Sequence, residues 1–145
     1  MGLFGGKDRG LPETQTARFE IWGQRGWCNV EAVGESHHAR EIRALLPTRD
    51  LADGTEIIVP VGVVPTPNNP HDRNALEVRA ATGLVGFLSR EDAIGYAPAL
   101  ASLQQSGWTA STSARVCGHD QENWDTRKKE FVGSVRLDLS APRSR

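Results

Sequence analysis

Apolar and polar residues alternate in short runs over most of the chain, the period-two pattern of strands with one wet face. The runs fall at Phe19 to Trp22, Trp27 to Val33, Thr55 to Val64, Ala75 to Arg79, Leu84 to Leu88, Thr109 to Cys117 and Phe131 to Leu139. Most are bounded by Gly, Pro or Asn, which favour turns. In the last run Val135, Leu137 and Leu139 alternate with Arg136 and Asp138, which predicts two wet positions in that strand.

Two segments carry a helical period instead. His38 to Leu46 places Ile42, Leu45 and Leu46 on one face and stops before Pro47, and Ser36 is a candidate N-cap ahead of it. Ser89 to Gln105 starts with Ser89 and Asp92 in a capping-box-like arrangement. Its predicted buried stripe is Ala93, Ile94, Tyr96, Ala97, Leu100 and Leu103, Pro98 predicts a kink, and Gly107 follows the end. Short strands with two helices predict a mainly β fold, a small OB-like or SH3-like barrel with two α-helices and a minor α+β character. The expected organisation is an N-terminal tail over 1–16, a single domain over 17–140 and a C-terminal tail over 141–145, without internal repeats.

Composition narrows the function classes. The 145 residues suit one domain with a real core. Seventeen Lys and Arg against eighteen Asp and Glu give a formal net charge of -1, which disfavours non-specific coating of nucleic acid but allows a small basic site. Cys28 and Cys117 are too few for a disulfide framework or a metal knuckle, so both are expected as buried thiols. The apolar stretch Ile57 to Val64 is broken by Pro60 and Gly62, Gly6 stands where a myristoylation signal needs Ser or Thr, and no secretory segment is apparent. A cytoplasmic location is the expectation.

Catalytic templates are absent: the sequence has no nucleophile elbow, P-loop, His-Glu-x-x-His or dinucleotide fingerprint. His37, His38, His71 and His119, two of them beside Asp72 and Asp120, have no spacing that requires a metal, so no metal or cofactor is expected. The stretch from Val64 to Ala75 has three prolines and three asparagines between two strands. It reads either as a stiff surface turn or as a stiff loop that holds His71 and Asp72 toward a ligand. Val33-Gly34-Glu35-Ser36-His37-His38 enters the first helix, and Val85-Gly86-Phe87-Leu88-Ser89-Arg90 enters the second.

In this order, the segments Ala32 to His37, Asn69-Pro70-His71-Asp72-Arg73-Asn74-Ala75, Val85 to Ala93 and Val135 to Leu139 resemble the HIRAN domain family over about Asn29 to Leu139. The most specific part is the Asn-Pro-x-Asp-x-Asn-Ala segment followed by Val-Gly-x-Leu. The resemblance, to a stand-alone bacterial-type member, implies an OB-like barrel that binds the 3′ end of single-stranded DNA and recognises its terminal hydroxyl. It implies that Asp72 accepts a hydrogen bond from that hydroxyl and that His37 and His38 contact terminal bases. His71 would stand at an aromatic position beside the acid, within the motif that Asn69 opens. Phe87 would form the pocket wall and Arg90 would meet a phosphate. The chain departs from the family where His37 and His38 stand at positions often occupied by tyrosine.

The leading expectation is therefore a non-enzymatic binder of single-stranded DNA 3′ ends in repair, replication or genome maintenance, with helicases, nucleases or other DNA-processing proteins as candidate partners. Its alternatives are a protein-interaction adaptor on an OB-like barrel, and a nuclease that uses His71, Asp72, His119 and a metal. Arg73, Arg115, Lys128 and Lys129 are either an extension of the backbone track or ordinary solvated charges. Trp108 and Trp124 are either base-stacking groups or packing residues at strand ends.

Overall fold

The computed structural model describes residues 17–20, 28 and 30–139. The expected tails over 1–16 and 141–145, and the strand readings at Ile21, Trp22, Trp27 and Asn29, lie outside the described residues. The described strands are β1 (Ala17–Glu20), β2 (Val30–Val33), β3 (Thr55–Pro65), β4 (Leu76–Ala80), β5 (Gly83–Leu88), β6 (Trp108–Glu122) and β7 (Lys129–Leu137). A single 3₁₀ turn, Glu35–His38, leads into α1 (Ala39–Leu45), and α2 (Arg90–Gln105) follows β5.

The strand order is β6-β3-β4-β5-β2-β7, and β7 pairs again with β6, so six antiparallel strands close into a barrel. β1 adds in parallel to the start of β6, on Trp108 to Ser111. The fold is thus the mainly β barrel with two helices that the strand pattern predicts. Closure leaves fewer open edges, and every barrel strand sends alternate residues inward. Val61, Val63, Leu76, Val78, Val85, Ala114, Val116, Val135 and Leu137 fill the interior.

The helices close opposite ends. Ala93, Tyr96 and Leu100 are buried on α2, which spans from the end of β5 to the start of β6. Burial, with Asp92 nearby, pushes the Tyr96 phenol up to about 12. Ser89 caps α2 as expected, accepting from the Asp92 amide at 3.1 Å. At the other end α1 inserts Ile42 and Leu46 over a cross-strand pair of glycines, Gly118 on β6 and Gly133 on β7. A Cβ at Gly118 would stand 2.7 Å from both Leu46 Cδ1 and Phe131 Cε1. One at Gly133 would stand 2.7 Å from Phe131 Cε2 and 3.0 Å from Ile42 Cγ2. The glycine pair makes the recess in which the Phe131 ring and α1 lie. Arg43 then reaches over that ring, 5.3 Å from its centroid, and donates to both Asp120 oxygens at 3.0 and 3.2 Å. These bonds hold the Asp120 carboxyl below its usual value.

The structure corrects five local expectations. Ile94 is 59% exposed, because the buried stripe of α2 is narrower than its apolar content. Asp138 is buried, since β7 ends at Leu137 and strand alternation no longer applies to it. Its amide donates to Ser113 O and its carbonyl accepts from Thr112 Oγ1. Cys117 is half-buried on the outer side of β6 rather than in the core, whereas Cys28 is buried. Burial pushes the Cys28 thiol up, against the opposing charge of Arg115. Ser36 caps no helix: Gly34, in the left-handed region at φ 82°, precedes the 3₁₀ turn, and His38 precedes α1. β6 also runs five residues past Cys117, pairing with β7 as a long hairpin.

Glu35 anchors the 3₁₀ turn to the barrel by accepting from the Val135 amide at 3.3 Å. Burial pushes its carboxyl up. An acid whose folded value is raised costs stability once ionised and returns it as pH falls through that raised value.

Two outcomes are expected. Gly118→Ala lowers stability by about 1–3 kcal/mol through overpacking against Phe131 and Leu46, measured by urea denaturation. Glu35→Gln keeps an acceptor for Val135 and removes the desolvated charge, so thermal melting rises modestly at pH 7. That gain fades as the pH falls through the raised value of Glu35, where the native glutamate is itself protonated.

Candidate nucleic-acid interface

The loop between β3 and β4 is held by its own side chains. Thr66 donates from its amide and its hydroxyl to Ala75 O at 3.0 and 3.1 Å, which pins the two ends of the loop together. The Asn69 amide donates to Thr66 O, and Asn69 Oδ1 accepts from the amides of His71 at 2.8 Å and Asp72 at 3.3 Å. Asp72 Oδ1 in turn accepts from the Asn74 amide at 2.9 Å, and Asp72 O accepts from Ala75 N. These are successive Asx turns, the local bonds that asparagine and aspartate make with nearby backbone. With Pro65, Pro67 and Pro70 fixing φ, the Asp72 side chain has a set direction.

That direction brings Asp72 to the start of α2. Asp72 Oδ2 lies 3.7 Å from Arg90 Nε, with the acid 22% and the arginine 74% exposed. An ion pair so long and so open to water contributes little stability. Its use is positional: the second carboxylate oxygen keeps acceptor capacity, and the guanidinium has room to turn toward an anion. Arg90 also sits in the first turn of α2, whose N-terminal amides favour negative charge, although Glu91 and Asp92 share that turn.

Beside this corner, three strands present one outward stripe. Val33 on β2 pairs with Phe87 on β5, and Phe87 pairs with Glu77 on β4. Directly opposed residues share a face, and here it is the outer one: Val33 is 43% exposed while its neighbour Ala32 is buried. Gly86 lets β2 and β5 approach, because a Cβ there would meet Val33 O at 2.9 Å. The 3₁₀ turn then lays the His38 ring near Phe87, with centroids 6.4 Å apart and planes tilted by 53°.

The structure thus joins Asn69, Asp72 and Arg90 in one cluster, and His38 with Phe87 in a second on the adjoining strand end, since β5 runs from Phe87 through Leu88 and Ser89 into Arg90. His37 and His71 are exposed on the same two segments. His119 is not part of this group. It lies near the β6 end that pairs with Thr55, whereas the loop follows Pro65 at the other end of β3. Ten residues of strand separate those ends, roughly 30 Å. The grouping of His71, Asp72 and His119 is therefore not formed, and among the described residues no set of three or more His, Cys, Asp or Glu is placed to hold a metal.

Two residues of the face escaped the sequence reading. Glu77 accepts from Arg79 Nε at 2.7 Å, and Val33 leaves an apolar edge next to Phe87. The alternation of β4 already turns Glu77 away from Leu76 and Val78, but its register against Phe87 is a long-range fact.

No curated protein matches the sequence significantly. The crystal structure of the HIRAN domain of human HLTF matches with 18% identity and a TM-score of 0.35, over 76% of this chain and 74% of that one. The HIRAN domain model matches residues 25–136, a span that includes the barrel from β2 to nearly the end of β7, the Asx-turn loop and the start of α2. The chain belongs to the HIRAN domain family.

Proposed function

We propose that this barrel binds the free 3′ end of single-stranded DNA, without catalysis, at the corner where the β3–β4 loop meets α2. The observation that carries the reading is the placement of Asp72 beside Arg90, with one carboxylate oxygen fixed by the Asn74 amide and the other facing the guanidinium. A terminal sugar hydroxyl can donate to Asp72 Oδ2, a bond to a charged acceptor contributing about 1.5–3 kcal/mol. A 3′-phosphate brings two negative groups together and is rejected. Arg90, released from its loose pairing, meets the adjoining phosphate.

Phe87 on β5 and His38 on the 3₁₀ turn packed against it offer ring surface a short distance from Arg90. Aromatic stacking tolerates any base and is worth roughly 1–3 kcal/mol per base. The chain then needs few phosphate contacts, which agrees with a formal net charge of -1. In this reading the domain serves DNA-processing partners such as helicases or nucleases by marking ends. The exposed apolar Val33 and Ile94 favour a second reading, a protein-docking role. Binding of a partner with no oligonucleotide binding at low salt would select it.

Fluorescence anisotropy with a short oligonucleotide ending in 3′-OH or 3′-phosphate tests the proposal. The hydroxyl end is expected to bind roughly 10- to 150-fold tighter, the equivalent of one charged hydrogen bond, and equal binding rejects end recognition. Asp72→Asn preserves the acceptor for Asn74, so its melting temperature stays close to wild type while the preference for the hydroxyl end is lost. Arg90→Ala weakens both ligands alike and lowers the log–log salt slope by about 0.7, the share of one phosphate on a single strand. An Arg90→Ala protein with an unchanged slope removes the phosphate role of that residue.

A further inference from the structure

The far end of the β6–β7 hairpin is built with more care than a connecting turn requires. The Asn123 amide donates to Lys128 O at 2.8 Å, and the Arg127 amide donates to Asn123 O at 2.7 Å. Asn123 Oδ1 accepts from the amides of Asp125 and Thr126 at 2.9 and 3.2 Å, while its Nδ2 donates to both oxygens of Glu130 at 3.2 and 3.1 Å. Arg127 is held at φ 60°, a left-handed conformation that costs a non-glycine residue energy. The outcome of this network is to hold an indole in water: Trp124 is 77% exposed, more than any other large apolar side chain described.

Charge around the indole is also arranged. Two acids of the hairpin already have partners, Asp120 with Arg43 and Glu130 with Asn123. Arg127, Lys128 and Lys129 remain as three consecutive exposed cations, against Glu122 and Asp125. A flat ring beside a short run of cations is the combination that holds single strands, base on the ring and phosphates on the cations. An anionic lipid surface fits less well, since one indole flanked by two carboxylates offers little apolar area to bury.

We infer that the tip of the β6–β7 hairpin is a second contact for single-stranded nucleic acid, with Trp124 stacking on a base and Lys128 and Lys129 holding flanking phosphates. This deepens the reading of the domain as a single-strand binder and rests on it. The tip lies at the opposite end of β6 from the Asp72 loop, about 40 Å away if measured along an extended strand from Ala110 to Glu122. A strand stacked at about 3.4 Å per nucleotide needs on the order of 12 nucleotides to join the two sites. An oligonucleotide of four or so reaches only one of them.

The test compares a dT tetramer with a dT strand of about 20 nucleotides, both with 3′-OH, by anisotropy. Wild type is expected to bind the longer strand on the order of 10-fold tighter, the gain from one added stacked base. Trp124→Ala removes that gain and leaves tetramer binding and hydroxyl preference unchanged, whereas Trp124→Phe keeps most of it. The paired change Lys128→Gln with Lys129→Gln lowers the salt slope on the long strand by about 1.4 and leaves the tetramer's slope alone. Equal wild-type affinity for the two lengths, or a Trp124→Ala protein that binds the long strand as wild type does, overturns the inference. So does capture on phosphatidylserine vesicles through Trp124 with no response to the long strand. A Trp124-dependent length effect without any preference between 3′-OH and 3′-phosphate supports the hairpin contact and removes end recognition.

Discussion

The barrel depends on β7 having two partners. Its whole length, Lys129 to Leu137, forms a ladder with β6, while Arg136 and Leu137 at its end also pair with β2. That double pairing closes the ring and fixes where β2 lies against β5. Without it Val33 and Phe87 would have no fixed register, and the His38 ring would have no wall to lean on. The Gly118–Gly133 pair serves the same closure from within: only where two strands lack side chains can Phe131 and α1 lie directly on the ladder. α1 begins right after His38, so packing at one end of the barrel sets the position of a side chain on its wall.

The Asx-turn loop solves a different problem. A carboxylate that must accept from a ligand cannot be buried in an ion pair, because desolvation and a strong partner would occupy it. Here the backbone holds one oxygen, and the guanidinium stays at 3.7 Å in partial contact with water. Rigidity comes from neutral amides and prolines rather than from charge, so on the proposed reading little would be broken when a strand end arrives. Both aromatic and acidic elements end up on secondary structure or on a loop stiff enough to act like it.

Much of this was legible in the sequence. Within the described residues the strand periods, the Ser89 cap and the two helices appear at or near their expected places, and they suffice for a mainly β barrel. The Asn-Pro-rich loop announced its own turns, because Asx bonds are local and need no knowledge of the rest of the fold. What the sequence could not show was contact between distant segments. Glu77 opposite Phe87, or a glycine pair beneath Phe131, are consequences of register, which local patterns do not contain. Ile94 and Asp138 misled for a related reason: apolarity and alternation indicate a face only while the element continues and something packs against it.

Amide chemical-shift mapping with a tetranucleotide that ends in 3′-OH examines the central claim at the level of single residues. Perturbations concentrated at residues 66–75, Phe87 to Glu91 and Glu35 to His38 are predicted, largest at Asp72 and Asn74, whose amides belong to the Asx turns. A tetranucleotide that binds but shifts only residues elsewhere on the barrel, with those three segments unmoved, contradicts the account.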